Sequence, residues 1–324
     1  MNGLQELQQL GLALGGDAWV QGPGGNLSIK AGDRLLVKAS GVRLRDVAAP
    51  SGHANVELKM AELALAGDAG ADKALFAAAP RPSLETYFHA MGPRVVAHTH
   101  PVGVLLAACT QEVLLADLPY VPYQRPGRDL ALAVQPHVAA AQSSVILLQS
   151  HGLLVYAQSV EEAVALSFAV DVRAREHFQI EIPFEDYLAA YMSNAHDSDT
   201  CSYRALPVPK HTVRGYLFPD VAVFGTQIHV AAIADDGAGF SRLMRDLGRP
   251  AVLSDDAGAR FLVARTRSEL DQATEVVAAH DWVYNAILNS GRSARFLPSS
   301  EIEKIVTLPS EQYRLALTQR TSSC

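Results

Sequence analysis

The first apolar rhythm in the chain is helical. Leu4, Leu7, Leu10, Leu12 and Leu14 recur at spacings that suit an amphipathic opening helix over residues 3–14. A glycine-rich turn, Gly22-Pro23-Gly24-Gly25-Asn26, follows, and the period then changes to two. Residues 27–30 and 34–38 read as the arms of a β-hairpin with Ala31-Gly32-Asp33 as its turn, and Ser40-Gly41 closes the region. Helical spacing returns in VELKMAELALA over 56–66.

Farther along, Ser83 can cap a helix from Leu84 to about Met91, which Gly92-Pro93 stops. The β-branched run from Val95 to His100 sits between prolines and reads as a strand, with a helix predicted over 102–109. Asp129 can cap a helix over 130–142, Val145–Leu148 has the continuous apolar character of a buried strand, and Leu153–Tyr156 reads as another. Ser159-Val160-Glu161-Glu162 is a capping box for a long helix to about Phe178.

Residues 193–210 are polar with prolines late on, and mark a linker between a domain over 1–192 and a smaller one over 211–324. In the latter, 221–224 and 228–233 look like strands and 239–247 like a helix. Residues 252–254 and 261–263 flank Asp255-Asp256-Ala257-Gly258 as a hairpin; a long helix covers 267–289 and a short one follows Ser299-Ser300. Alternating strands and helices in this order predict an α/β chain.

Composition narrows the possible partners. The 324 residues carry 27 Lys and Arg against 34 Asp and Glu, a formal charge of −7, with no basic run, which argues against a nucleic-acid surface. Mean hydropathy is +0.09, and no uncharged apolar run approaches the length of a membrane span. Cys109, Cys201 and Cys324 are odd in number and widely spaced, so they form neither a disulfide framework nor a metal knuckle. The N-terminal segment lacks a basic start and has Glu6 inside its apolar stretch, unlike a secretory signal. A cytoplasmic setting is the expectation.

The candidate chemistry centres on histidine. Eleven histidines in 324 positions would give an H-x-H pair by chance in roughly 0.4 places, so the pair His98 and His100 means little by itself. On a strand, however, i and i+2 point to one face, so both rings can reach one ion while Thr99 faces away. His151, past a second buried strand and before Gly152, would complete three imidazoles at strand ends, the donor set of a catalytic metal site with open positions. On spacing alone, histidines merely satisfied by hydrogen bonds at strand ends remain the alternative.

Glu85 falls in the first turn of the helix capped by Ser83, where an acid is favoured by the helix dipole whether or not it does chemistry. His89, one turn later, could steady it or be a plain helix-surface histidine. Gly24-Gly25-Asn26 and Ser40-Gly41 offer backbone N–H groups of the kind that cradle anions, and are equally good as turns. Arg125-Pro126-Gly127-Arg128 could hold an anion or simply decorate a loop.

Taken in order, GGNLSIK (24–30), LLVKASG (35–41), RPSLETYFHA (81–90), VVAHTHP (95–101), VPYQRPGRDLA (121–131) and LLQSHGLLVY (147–156) resemble the class II aldolase/adducin family, which includes fuculose-phosphate and rhamnulose-phosphate aldolases. The resemblance covers about residues 3–190 and is strongest to the aldolase half of fusions with a short-chain dehydrogenase, although no dehydrogenase follows. YLFPDVAVFG, ARFLPSSEIEKI and SEQYRLAL resemble the tail of longer aldolase-like proteins of unsettled substrate.

The resemblance implies an α/β/α fold around a central, mainly antiparallel sheet, with a small α+β C-terminal domain of unknown role. It implies zinc or another divalent metal on His98, His100 and His151, Glu85 as the catalytic carboxylate, and Asn26, Ser40, Gly41 and Ser83 holding a substrate phosphate. The implied reaction is C–C cleavage of a ketose phosphate or related hydroxy-keto compound through an enediolate. Decarboxylation, epimerisation or dehydration on the same site is the alternative, and a non-catalytic adducin-like binding module is a second one. A homo-oligomer, by resemblance a tetramer, is implied as well. Two departures matter: Leu84 stands where such aldolases often have a second serine, which leaves either a phosphate held differently, with Lys38 a candidate, or a substrate without phosphate, and Tyr120 is only the nearest match for the proton-donating tyrosine.

Overall fold

The opening leucines form helix α1 (Gly3–Leu14), whose first turn is closed by a capping box between Asn2 and Gln5. The computed structural model describes residues 2–198, 201–230, 232, 233 and 237–308. Residues 199, 200 and 231, the SEQYRLAL stretch and Cys324 lie outside that range. Residues up to Ala108 and Glu112–His177 build one unit, and Cys109–Gln111 with the residues from Phe178 onward a second.

In the first unit β1 (Asn26–Ala31) and β2 (Arg34–Lys38) form the expected antiparallel hairpin, and β3 (His53–Glu57) extends it. Helices α2 (Leu58–Ala66), α3 (Ala69–Ala77) and α4 (Thr86–His89) follow. Then come β4 (Val95–Thr99), α5 (Val102–Ala108), β5 (Tyr120–Val121), α6 (Arg128–Val134), β6 (Ser144–Leu148), β7 (Gly152–Ala157) and α7 (Val160–Arg175). The seven strands lie in the order β3-β2-β1-β4-β7-β6-β5, and only β5 runs parallel to its neighbour.

Alternation sorts the side chains onto two faces. Leu27, Ile29, Val95, Ala97, Leu147 and Leu153 pack with Leu7, Leu10 and Leu14 of α1 and with Val104, Ala163 and Val170 of α5 and α7. Val37, Val96, Ile146, Leu148 and Leu154 pack on the other side with Ala61, Leu75, Phe88 and Leu130 of α2, α3, α4 and α6. The expected α/β/α layering around a mainly antiparallel sheet is the observed one.

Several boundaries differ from the sequence reading, each for a local reason. Residues 56 and 57 leave the predicted helix and join β3, because Ala54 and Val56 alternate inward against β2. Helix α4 is a single turn, not eight residues. The helix expected over 130–142 stops at Val134, where Pro136 leads a short 3-10 turn (Gln135–His137).

The second unit holds α8 (Phe184–Tyr191), β8 (Ala195–Asp197), β9 (Ser202–Ala205), α9 (Pro219–Phe224), β10 (Thr226–Val230) and α10 (Gly237–Leu247). After them come β11 (Ala251–Asp255), β12 (Arg260–Ala264), α11 (Arg267–Asn289) and α12 (Ser299–Val306). The strand order is β10-β11-β12-β9-β8. Two strands therefore occupy the segment read as a linker, and the first unit ends at His177. Residues 221–224 are helical, not extended: Pro219 occupies the first turn, and four apolar residues carry no period that separates helix from strand. Behind this sheet the buried Arg260 guanidinium lies 2.8 Å from Asp281, which also accepts from the Tyr191 hydroxyl at 2.8 Å.

The Ser159 side chain accepts from Glu162 N at 3.2 Å, while Glu162 accepts from Gln158 N at 2.8 Å, so the N-terminus of α7 rests on this reciprocal pair. Ser159→Ala should lower stability by about 1 kcal/mol. Urea unfolding would measure this, and a midpoint unchanged from wild type would show the cap to be dispensable.

Candidate metal centre

The site is assembled by strand pairing. In the antiparallel ladder of β1 and β4, Asn26 stands opposite His98; in that of β4 and β7, His98 stands opposite Leu154. His98 shares the face of Val96, toward α4. Its Nδ1 lies 2.9 Å from the Leu153 carbonyl, which can only accept, so Nδ1 carries the hydrogen and Nε2 keeps its lone pair. Complete burial, followed by the neighbouring His151 and His100, holds the His98 pKa well below 6.5, so its imidazole is neutral.

His100 follows β4, and its Nε2 is 3.1 Å from Nε2 of His98. His151 occupies the turn between β6 and β7, after Ser150 at φ 51° and before Gly152 at φ 156°. A Cβ at Gly152 would come within 2.4 Å of the Thr99 carbonyl, so this turn needs glycine to bring His151 against the end of β4. One nitrogen from each ring converges within 4.8 Å of the others, and all three residues are buried.

Glu85 sits at the N-cap of α4, 7 % exposed. One carboxylate oxygen lies 3.6 Å from His98 Nε2 and the other 3.4 Å from His151 Nε2. The Asn26 amide donates to the first of these at 2.6 Å. Three imidazole nitrogens beside one carboxylate fit a divalent ion and leave coordination positions open. The spacing of these histidines left hydrogen-bonded strand ends as an alternative; their convergence favours a common ion.

Among the other residues singled out, Ser83 accepts from Glu85 N through its hydroxyl at 3.3 Å. Ser40 N donates to the Arg81 carbonyl at 2.9 Å, and Ser83 N to the Lys38 carbonyl at 3.1 Å, so the Ser40-Gly41 turn abuts the segment leading to Glu85. Lys38 is buried and donates to the Pro23 and Val42 carbonyls, each at 2.7 Å, stitching the two glycine turns together. Leu84 packs beside Gly127, which brings the 125–128 loop against it.

Tyr120 lies on β5. It pairs with Leu147 in the β5–β6 register and packs with the α1, α5 and α7 face of the sheet, whereas His98 faces the α4 side. Its two-residue strand fixes that choice of face, which no period in so short a run could reveal.

His89 is also corrected: it is fully buried, with Nδ1 2.7 Å from the Ser28 hydroxyl. The available signal was the polar set Asn26, Ser28 and Lys30, which alternates with Leu27 and Ile29 along β1. Burial, then the charges of Lys30 and Lys38, lowers the His89 pKa from 6.5 to about 3. An unfolded chain therefore binds this proton at a pH where the folded one does not. Stability should fall as pH drops from about 6.5 toward 3, by up to about 1.4 kcal/mol per pH unit, and level off below. His89→Gln, which has no proton to bind, should flatten that slope in denaturation runs across this window. Equal slopes would exclude His89 as a source.

A profile of the class II aldolase and adducin N-terminal domain matches residues 5–178, more than half of the chain. No curated protein matches it in sequence. Among solved structures, the N-terminal class II aldolase domain of a conserved protein from Thermoplasma acidophilum is 25% identical, covers 54% of this chain and 93% of its own, and superposes with a TM-score of 0.47. YgbL from Klebsiella pneumoniae, a candidate aldolase/epimerase/decarboxylase, is 22% identical over 54% of this chain and 87% of its own, with a TM-score of 0.42. The L-fuculose-1-phosphate aldolase from Thermus thermophilus is 20% identical over 53% and 92%, with a TM-score of 0.38. By the extent of the profile match, the chain belongs to the class II aldolase and adducin N-terminal domain family.

Proposed function

We propose that this chain is a zinc-dependent lyase that breaks a carbon–carbon bond next to a carbonyl in a hydroxy-keto compound of sugar type. The observation that carries the reading is the Glu85 carboxylate, 3.4 and 3.6 Å from two of three convergent imidazoles. His98, His100 and His151 would hold the ion. When bound, it supplies positive charge against the negative charge that gathers on oxygen as the bond breaks.

The chain's own groups do the remaining work. Glu85 takes a proton from, and returns it to, the carbon beside the carbonyl, a role whose contribution is on the order of 10²–10⁴-fold. Asn26 holds the carboxylate's orientation by donating to the Glu85 oxygen that lies beside His98, and it accompanies His98 as its cross-strand neighbour. The Gly41 N–H and the hydroxyls of Ser40 and Ser83 receive the far, polar end of the substrate, phosphorylated or not. Burial of all three imidazoles excludes water from the proton transfer.

The family also includes adducin, so metal content separates an enzyme from a binding module. Protein purified without chelator should contain one zinc per chain. His151→Ala should lose it, and an elemental analysis that still finds one metal per chain would refute the ligand role. Glu85→Gln should retain the metal and lose at least about 10²-fold in kcat on the best substrate from a screen of ketoses, ketose phosphates and 2-keto acids. Undiminished turnover in that variant would remove Glu85 from the mechanism.

A further inference from the structure

One face of β1 grips the segment that carries Glu85 at three successive points. Leu27 and Ile29 point into the α1 side of the core, so Asn26, Ser28 and Lys30 point to the α4 side. Asn26 donates to the Glu85 carboxylate at 2.6 Å. The Ser28 hydroxyl meets His89 Nδ1 at 2.7 Å, one helical turn on. Lys30 Nζ donates to the carbonyls that end the segment, those of Met91, Gly92 and Pro93, the last two at 2.8 Å each.

The spacing explains why three rungs fit. Two residues of strand advance about 6.6–6.8 Å and one turn of helix about 5.4 Å, so i, i+2 and i+4 on β1 can follow i, i+4 and the C-terminal end of a one-turn helix. Helix α4 has four residues and would not persist without outside support. Along one edge β1 is hydrogen-bonded into the ladder with β4, where Ser28 stands opposite Val96 and Asn26 opposite His98. The same strand thus holds the helix that bears the carboxylate and the strand that bears the first imidazole.

We propose that Ser28 and Lys30 are positioning residues for Glu85: through His89 and the carbonyls after α4 they hold that helix in register with β4, and so hold the carboxylate against the histidines. The kinetic part of this inference rests on the lyase reading above; the geometric part does not. Neither residue touches substrate or reacting atoms. Lys30 is on the ring of contacts farthest from the histidines and acts only through the backbone it ties down.

The test uses the full chain with Ser28→Ala, Lys30→Met and Lys30→Arg, each checked for wild-type far-UV CD and metal content. Two readouts are taken. The first is the rate at which a water-soluble carbodiimide and an amine label Glu85, read by mass spectrometry on metal-free protein. In wild type the buried, hydrogen-bonded carboxylate labels slowly; in Ser28→Ala and Lys30→Met its labelling should rise several-fold while exposed carboxylates such as Asp129 stay unchanged, and Lys30→Arg should restore the slow rate. The second is turnover on the best substrate, where kcat should fall on the order of 10- to 100-fold with KM within about threefold, because a misplaced group impairs the reacting geometry more than binding. Lys30→Arg should recover most of kcat.

Glu85 labelling equal to wild type in both Ser28→Ala and Lys30→Met would overturn the proposal, as would loosened labelling with kcat untouched. If wild-type protein turns over no compound in the screen, the lyase reading has failed, and the labelling arm alone decides the positioning role. Should Lys30→Met not fold, Ser28→Ala, which deletes one oxygen, decides it.

Discussion

The antiparallel register between β1 and β4 is the constraint on which the site depends. It sets Asn26 opposite His98 and Ser28 opposite Val96, with Leu27 and Ile29 turned to the other face. A slip of one residue would turn Asn26 and Ser28 toward α1 and bring Leu27 and Ile29 to the carboxylate. The apolar core therefore fixes the chemistry indirectly. Leu27, Ile29, Val95 and Ala97 are fully buried, and removing that apolar surface from water is what makes every other register costly.

That register solves a problem that burial creates. A carboxylate and four histidines, His89 with the three at the site, lie at 7 % exposure or less. Ionised groups withdrawn from water are expensive unless paired, hydrogen-bonded or held beside an ion. The imidazoles of His98 and His89 meet this by staying neutral, each with a hydrogen-bond partner at Nδ1 in Leu153 or Ser28. Glu85 meets it with the Asn26 amide. Desolvation, which penalises charged imidazole, thus prepares the form that can donate to a metal.

Legibility in the sequence followed the strength of local periodicity. The β1–β2 hairpin, α1, α7 and α11 each carry a long pattern or a cap, and all appear where the pattern puts them. His98 and His100 were legible as a pair on one strand face through alternation; the cap marked Glu85 only as a helix N-terminal acid, and its role is implied by the family resemblance. The face of Tyr120 was not legible: on a two-residue strand it is chosen by pairing with Leu147, a contact 27 positions away in sequence that no local pattern encodes. The segment 193–210 failed for the opposite reason. Its strands β8 and β9 are short and polar: β9 forms on the pairing edge that β12 offers, and β8 pairs in turn with β9.

His89 fell between these cases, and the reason bears on how the site works. A one-turn helix has no hydrophobic stripe, so its inward face is not set by its own sequence; it is set by what β1 presents. Because β1 presents polar groups at alternate positions, the helix turns two titratable residues, Glu85 and His89, into the protein, which an isolated helix of this composition would turn to water. The catalytic candidate and its buried histidine neighbour are thus consequences of the strand, and a substitution that altered the β1 alternation would be expected to disturb both together while leaving the glycine turn that presents His151 intact.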